Sequence, residues 1–233
     1  MEIQDKVIVI TGGTKGLGYE LAKSALKEGA KVIISGRESV STEIVAKELG
    51  VIGISADISD EAQVKKLAEE ALENFGRIDI WINNAGIWFP WAELEKTDVS
   101  NLRQMLEVNL LGTIFGSRQA AVYMKKQKSG VIVNIISTTG LNGRAGSSGY
   151  AASKSGVIGF SKSIRKELAP LGIRVSSIYP GGMKTEIFGK DRIPGYENFM
   201  DPHEVAKAII RNLEKDNPEE ELVLEYSKDL QKV

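Results

Sequence analysis

The chain has 233 residues, the length of one α/β domain or two small ones, and its 42% hydrophobic and 26% charged residues are too apolar a balance for disorder. Thirty basic against thirty-one acidic residues give a formal charge of −1, so no long-range field draws the chain to a nucleic acid or an anionic membrane, and neither partner is expected. Cysteine is absent and His203 is the single histidine, which removes disulfides, thiolate chemistry and histidine-rich metal clusters; no metal site is expected.

Short apolar runs alternate with longer stretches of helical spacing. The runs are Val7 to Ile10, Val32 to Ile34, Val51 to Ile54, Ile78 to Ile82, Val131 to Ile136, Val175 to Ile178 and Leu222 to Leu224. Each is rich in Val and Ile without alternation, as expected of strands covered on both faces of a parallel sheet. Between them, Leu17, Leu21, Ala22, Ala25 and Leu26 form one apolar helical stripe, and Val64, Leu67, Ala68, Ala71 and Leu72 form another. Strand and helix in strict alternation predict βαβ units and a doubly wound sheet of about seven strands in a three-layer α/β/α sandwich.

Asp98 to Lys128 suits one extended helix, and Ser148 to Ala169 suits another that stops before Pro170. The last helix starts at Asp201-Pro202, a cap residue followed by proline at the first helical position. No linker or composition shift divides the chain, so residues 1–233 read as a single domain with a flexible flap at about 182–200. No apolar run approaches the roughly 18 residues needed to span a bilayer, and Met1 to Lys6 lack the pattern of a signal peptide. A cytoplasmic location is the expectation. His203, remote from every motif, reads as surface.

The first strand runs into Thr11-Gly12-Gly13-Thr14-Lys15-Gly16-Leu17-Gly18, and a helix follows at once. Glycines allow a tight turn and close approach of the backbone to a pyrophosphate, while the helix N-terminus offers unpaired N–H donors. The spacing is T-G-x-x-x-G-x-G rather than G-x-G-x-x-G. Asn83-Asn84-Ala85-Gly86 follows the fourth strand. Tyr150 and Lys154 stand four residues apart on one helix face, and Ser137 precedes the tyrosine by thirteen residues at the end of the fifth strand. In this combination the chain resembles the short-chain dehydrogenase/reductase family over nearly its whole length, with a Rossmann-like fold implied.

The resemblance implies an oxidoreductase that passes a hydride between a nicotinamide cofactor and a carbonyl or alcohol. It implies catalytic roles for Asn109, Ser137, Tyr150 and Lys154, with Lys154 also binding the nicotinamide ribose and Asn109 holding a water that links Lys154 to solvent. It places Gly12, Thr14, Lys15, Gly16, Leu17, Gly18, Asp57, Ile58, Asn83, Ala85, Gly86, Pro180, Gly181, Met183 and Thr185 along the cofactor, Asp57 accepting from the adenine amino group and Thr185 bonding the carboxamide. The chemistry follows without the family: hydride addition builds charge on a carbonyl oxygen, which then needs a proton. A phenol near pKa 10 is a reluctant relay, so Lys154, helped by an oxidised nicotinamide, is expected to lower the Tyr150 pKa.

Cofactor choice turns on the end of the second strand, Ile34-Ser35-Gly36-Arg37, where glycine stands in the place of the family's acid. Arg37 and Lys15 suit a 2′-phosphate and favour NADP(H); Glu38 as a ribose acceptor, with NAD(H), is the competing reading. Trp88-Phe89-Pro90-Trp91, Thr138 to Gly149 and the flap are expected to line the substrate, although the tryptophans equally suit a subunit contact. An apolar ketone or aldehyde is the expected substrate. A 3-oxoacyl-[acyl-carrier-protein] reductase, with Lys125, Lys126 and Lys128 attracting an acidic carrier, and an NAD-dependent alcohol dehydrogenase are the alternatives, and a nucleotide sensor without turnover is disfavoured by the intact Ser137, Tyr150 and Lys154. The resemblance also implies a homodimer or homotetramer. The stretch Glu221 to Tyr226 departs from the family's V-D-G-G ending and puts a tetramer contact there in doubt.

Overall fold

The computed structural model describes residues 2–189 and 193–225. Lys190 to Arg192 of the expected flap, and Tyr226 onward at the C-terminal end, lie outside the described residues. In chain order the elements are β1 (Val7–Thr11), α1 (Gly16–Lys27), β2 (Lys31–Gly36), α2 (Ser39–Leu49), β3 (Ile52–Ser55), α3 (Glu61–Phe75) and β4 (Ile80–Asn83). There follow α4 (Val99–Met105), α5 (Gly112–Gln127), β5 (Gly130–Ile135), α6 (Thr138–Asn142), α7 (Ser148–Leu168), β6 (Ile173–Pro180), α8 (Pro202–Glu214) and β7 (Glu221–Leu224). Among the described residues the strands form one sheet in the order β3-β2-β1-β4-β5-β6-β7, every pairing parallel.

The period-2 alternation of a strand divides each apolar run between two cores. Ile8, Ile10, Ile34 and Ile82 pack with Leu17, Leu21 and Ala25 of α1 and with Val205, Ile209 and Leu213 of α8. Val7, Val9, Ile33 and Trp81 face the other way, onto Val64, Leu67 and Ala71 of α3 and onto Ala120 and Met124 of α5. This is why the runs show no alternation in sequence: both faces are covered. The edges differ. In β3 only Ile54 is buried, and in β7 Leu222 and Leu224 point inward while Glu221 and Val223 do not. No helix among the described residues is long and apolar enough to cross a membrane.

Helix ends follow local chemistry. The Asp60 carboxylate accepts from Ala62 N at the start of α3, and Asp201 accepts from His203 N where Pro202 opens α8. His203 is half-exposed, but its Nδ1 lies 2.8 Å from Glu20 Oε2 and ties α8 to α1. The helix expected from Asp98 to Lys128 runs from Val99 to Gln127 with a π-helical segment, Leu106–Leu111, in its middle. Such a segment shifts the register of the side chains beyond it, and Asn109 sits inside it.

A buried polar chain crosses the centre of the sheet. Trp81 Nε1 donates to Asn83 Oδ1 (2.8 Å), Asn83 Nδ2 donates to Ser117 Oγ (3.0 Å) and Asn134 Oδ1 (2.8 Å), and Asn134 Nδ2 donates to Ser161 Oγ (2.8 Å). It joins β4 and β5 to α5 and α7, with every member satisfied. Removing Asn83 strands the Trp81 N–H and the Asn134 carbonyl in the interior. Asn83→Ala is therefore expected to lower the unfolding free energy by about 3 kcal/mol, read from urea denaturation. A loss under about 1 kcal/mol would show that the chain of bonds carries little stability.

Candidate active site

The sheet order reverses between β1 and β4, where successive crossovers leave in opposite directions and a crevice opens past the strands' carboxyl ends. A cleft of about 880 Å³ occupies that place, at the upper end of the ~300–1,000 Å³ usual for ligand sites. Into it converge Gly12, Thr14, Lys15, Gly16, Leu17 and Gly18 from the first turn, and Arg37, Asp57 and Ile58 from the ends of β2 and β3. Ala85, Gly86, Ser137, Tyr150, Lys154, Pro180, Gly181, Met183 and Thr185 line the same cleft. Asn83 and Asn109 do not.

The first turn is tight and leaves backbone donors uncapped. Gly12 has φ +65°, and a Cβ there would stand 2.8 Å from Ala85 Cα, so this position admits only glycine. Lys15, the N-cap of α1, makes no side-chain cap, and the first turn of the helix carries no acid, which leaves its N–H donors available to an anion. These features fit a dinucleotide pyrophosphate. The neighbouring asparagines divide two tasks. Asn83, expected along the cofactor, is instead 3% exposed and spent on the polar chain inside the sheet. Asn84 lines the cleft, and its Nδ2 donates to Thr11 O (2.9 Å) and Gly12 O (3.0 Å), bracing the glycine turn. Strand alternation carried the signal: Asn83 shares a face with the buried Trp81, so it had to point into the core.

At the end of β2 the reason for glycine is steric. A Cβ on Gly36 would lie 2.5 Å from Thr42 Oγ1 and 2.6 Å from Thr14 Cγ2, so no carboxylate can be placed there without moving both. The Glu38 side chain is 77% exposed and pairs with Arg37 Nε at 3.6 Å, a surface contact worth about 0–1 kcal/mol. Asp57 Oδ1 accepts from both Ser59 N (2.9 Å) and Ser59 Oγ (2.6 Å), which orients the carboxylate at the cleft wall.

Ser137 follows β5 and caps α6, its Oγ accepting from Thr139 N at 3.1 Å. That leaves the hydroxyl proton to bond the Tyr150 oxygen. One turn along α7, Lys154 is 4% exposed; its Nζ donates to Ile135 O at 3.0 Å and lies 5.8 Å from the Tyr150 ring centroid. Asn109 stands behind this pair: Oδ1 accepts from Ile87 N (2.8 Å), and Nδ2 donates to Ile87 O (3.0 Å) and Ser153 Oγ (3.1 Å). A Cβ on Gly86 would meet Asn109 Oδ1 at 3.2 Å and Lys154 Nζ at 3.6 Å, so the asparagine and the ammonium flank one point of the backbone. The Asn109 side chain is committed to the chain after Gly86, which it fastens to the π-helical segment.

Burial dominates the protonation of the pair. It pushes the Tyr150 phenol up to about 12, against the pull of the Ser137 hydrogen bond. It pushes the Lys154 ammonium down to about 8. In the protein without cofactor, burial thus sets the Tyr150 pKa, and the Lys154 ammonium bonds Ile135 O; the acidification expected with an oxidised nicotinamide in place belongs to the bound state.

The substrate end is aromatic. Trp88 meets Trp91 edge-on at 6.4 Å and Phe188 at 5.2 Å, and Phe188 lies 5.7 Å from Phe199, so the strip after β4 and the flap form one wall. Both Trp88 and Trp91 line the cleft. The flap's two ends are joined by a parallel bridge, Met183 to Met200. The sequence points to the flap as a lining segment but not to Phe188 and Phe199 within it, because no periodicity orders a loop.

The depressed lysine has a consequence for stability. From about pH 8 to 10.5 the unfolded chain holds the Lys154 proton and the folded protein does not, so stability rises with pH through that window, and the cost of the buried cation is fully present below it. Lys154→Met is expected to exceed the wild type by on the order of 2 kcal/mol near pH 7 and to lose that advantage above pH 10.5. Urea denaturation at the two pH values measures it; a difference that does not change with pH would exclude Lys154 as the titrating group.

Comparison with known proteins agrees with this geometry. Residues 6–193 match the family model described as short chain dehydrogenase. The chain is 36% identical over 216 residues to carbonyl reductase family member 4 of Xenopus tropicalis, covering 90% of this chain and 91% of that one. It is 36% identical over 214 residues to levodione reductase of Leifsonia aquatica, covering 88% and 77%. Its fold superposes on the 3-ketoacyl-(acyl-carrier-protein) reductase of Brucella melitensis complexed with NADH with a TM-score of 0.89 at 31% identity, covering 97% of this chain and 99% of that one. The chain belongs to the short-chain dehydrogenase/reductase family of oxidoreductases.

Proposed function

We propose that the chain is an NADP(H)-dependent reductase of a ketone or aldehyde, acting reversibly on the corresponding alcohol. The observation that carries this reading is the meeting of Ser137, Tyr150 and Lys154 at one end of a cleft whose other end is a glycine turn open to phosphate. When bound, the nicotinamide supplies or accepts the hydride. Ser137 donates to the carbonyl oxygen and orients it. Tyr150 delivers its proton to that oxygen in reduction and takes it back in oxidation. A phenol held up to about 12 is fully protonated at neutral pH, the state that the donor role in reduction requires. The Lys154 cation, charged below about 8, stabilises the phenolate left behind. Asn109 holds the backbone at Ile87 against the helix that carries these groups.

For the cofactor, exclusion of an acid at Gly36 together with Arg37 and Lys15 in the same cleft supports a 2′-phosphate reader. The Brucella relative bound to NADH keeps the NAD(H) reading in play, and its name brings 3-oxoacyl thioesters into the substrate class to be tested. The lysines once considered for docking an acidic carrier do not support that route. Lys125, Lys126 and Lys128 end α5 immediately before β5 begins, one strand length (about 20 Å) from the cleft end of the sheet. Lys125 pairs with Glu167, and Lys126 lies over the Tyr123 ring.

Replacing Tyr150 by Phe is expected to lower kcat for reduction by about a thousandfold or more while NADPH affinity changes by less than about threefold. Turnover followed by NADPH absorbance over a panel of carbonyl compounds, with affinity from NADPH fluorescence, measures both; undiminished turnover in the variant would refute the role given to the phenol. Arg37→Asp should weaken NADPH binding about tenfold or more and NADH binding much less. Equal losses for the two cofactors would contradict the NADP(H) reading.

A further inference from the structure

The substrate half of the cleft mixes the aromatic rings with a few polar side chains, among them Gln104, Arg144 and Glu186. Arg144, in the loop between α6 and α7, lines the cleft with its Cζ 4.0 Å from the centroid of the Trp91 ring. The loop is fastened to the tryptophan strip: Ala92 N donates to Gly146 O at 3.1 Å, and a Cβ on Gly146 would stand 3.0 Å from Trp91 Cβ. Among the described residues Arg144 has no carboxylate partner, although Glu186 lines the same cleft. Arg144 is exposed, and a guanidinium held over an indole can still present its fork of N–H groups to the paired oxygens of a carboxylate or a phosphate. That contact also holds the fork in place before a ligand arrives, so less rotamer entropy is lost on binding.

We propose that Arg144 determines specificity by reading an oxyanion on the substrate. The carbonyl compound reduced beside Ser137 and Tyr150 then has three parts: the reacting carbonyl, an apolar segment lying along Trp88 and Phe188, and a terminal carboxylate or phosphate on Arg144. This rests on the reductase reading above and narrows its substrate class. A neutral ketone would leave Arg144 without an anionic partner among the described residues.

Two matched pairs of ligands test it: a long-chain oxo acid whose ketone and terminal carboxylate are separated by several methylenes against its methyl ester, and a 3-oxoacyl thioester of 4′-phosphopantetheine against that of pantetheine. Each is measured for kcat and KM with NADPH, and for equilibrium binding by quenching of the cleft tryptophans. The expected result is a preference of about tenfold or more for the anionic member of at least one pair, carried in KM and in binding with kcat within about twofold. The pair that shows it identifies the source of the oxyanion, carboxylate or phosphate. Arg144→Gln should reduce the preference to less than about twofold and leave the neutral member unaffected, and Arg144→Lys, which keeps charge but not the fork, should fall between. No preference in either pair, or a preference that survives in Arg144→Gln, overturns the inference. Binding judges Arg144 independently of turnover, so a protein that discriminates the ligands but reduces none of them would sink the reductase reading and leave the anion site standing.

Discussion

An ammonium ion with only 4% of its residue exposed, one helical turn from a phenol, is the costly feature around which the molecule is arranged. Desolvation drives the Lys154 proton toward release and the Tyr150 proton toward retention, and neither group would be tolerated in the interior for stability alone. The surroundings offset part of that cost through bonds aimed at these two residues. Ile135 O at the end of β5 accepts from the lysine, Ser137 bonds the phenol, and Asn109 fixes the backbone after Gly86 against which the lysine lies. Strand β5, the π-helical segment and α7 meet at that spot, and the fully satisfied polar chain through Asn83 and Asn134 fixes their spacing from the core side.

The sheet order accounts for where the rest of the site falls. Reversal between β1 and β4 opens the cleft, the glycine turn after β1 presents the N-terminus of α1 to it, and the ends of β2 and β3 bring Arg37 and Asp57 to the nucleotide end. The far end is closed by aromatic rings from two segments distant in sequence, the strip after β4 and the flap after β6. The residues proposed for the chemistry therefore sit on strand ends and a helix, whereas the proposed substrate wall is built from loops. That division is consistent with relatives named for different carbonyl substrates sharing one fold.

Much of this was legible in the chain. The Val- and Ile-rich runs marked all seven strands, because a parallel sheet covered on both faces must be apolar throughout. Asp201-Pro202 marked the start of α8 through capping chemistry alone. The glycine turn, Ser137, Tyr150 and Lys154 were found by spacing and do share one cleft. What was missed depended on three-dimensional balance. Asn83 was assigned to the cofactor when its strand face sends it into the core. Asn109 was singled out for a water-mediated role, but the π-helical segment that holds it behind the cleft lining is invisible to a 3.6-residue pattern. The burial that raises the Tyr150 pKa in the protein without cofactor is likewise not stated by a sequence.

The most direct test of the account is the titration of the Tyr150 phenol itself, taken as the difference in tyrosinate absorbance between wild type and Tyr150→Phe. The account predicts that the phenol of the protein alone ionises at about 12, and that saturating NADP+ brings its ionisation down as positive charge is added beside it. A phenol that ionises near 10, like free tyrosine, and does not respond to NADP+ would show that this residue is neither buried against its lysine nor within reach of the reacting centre.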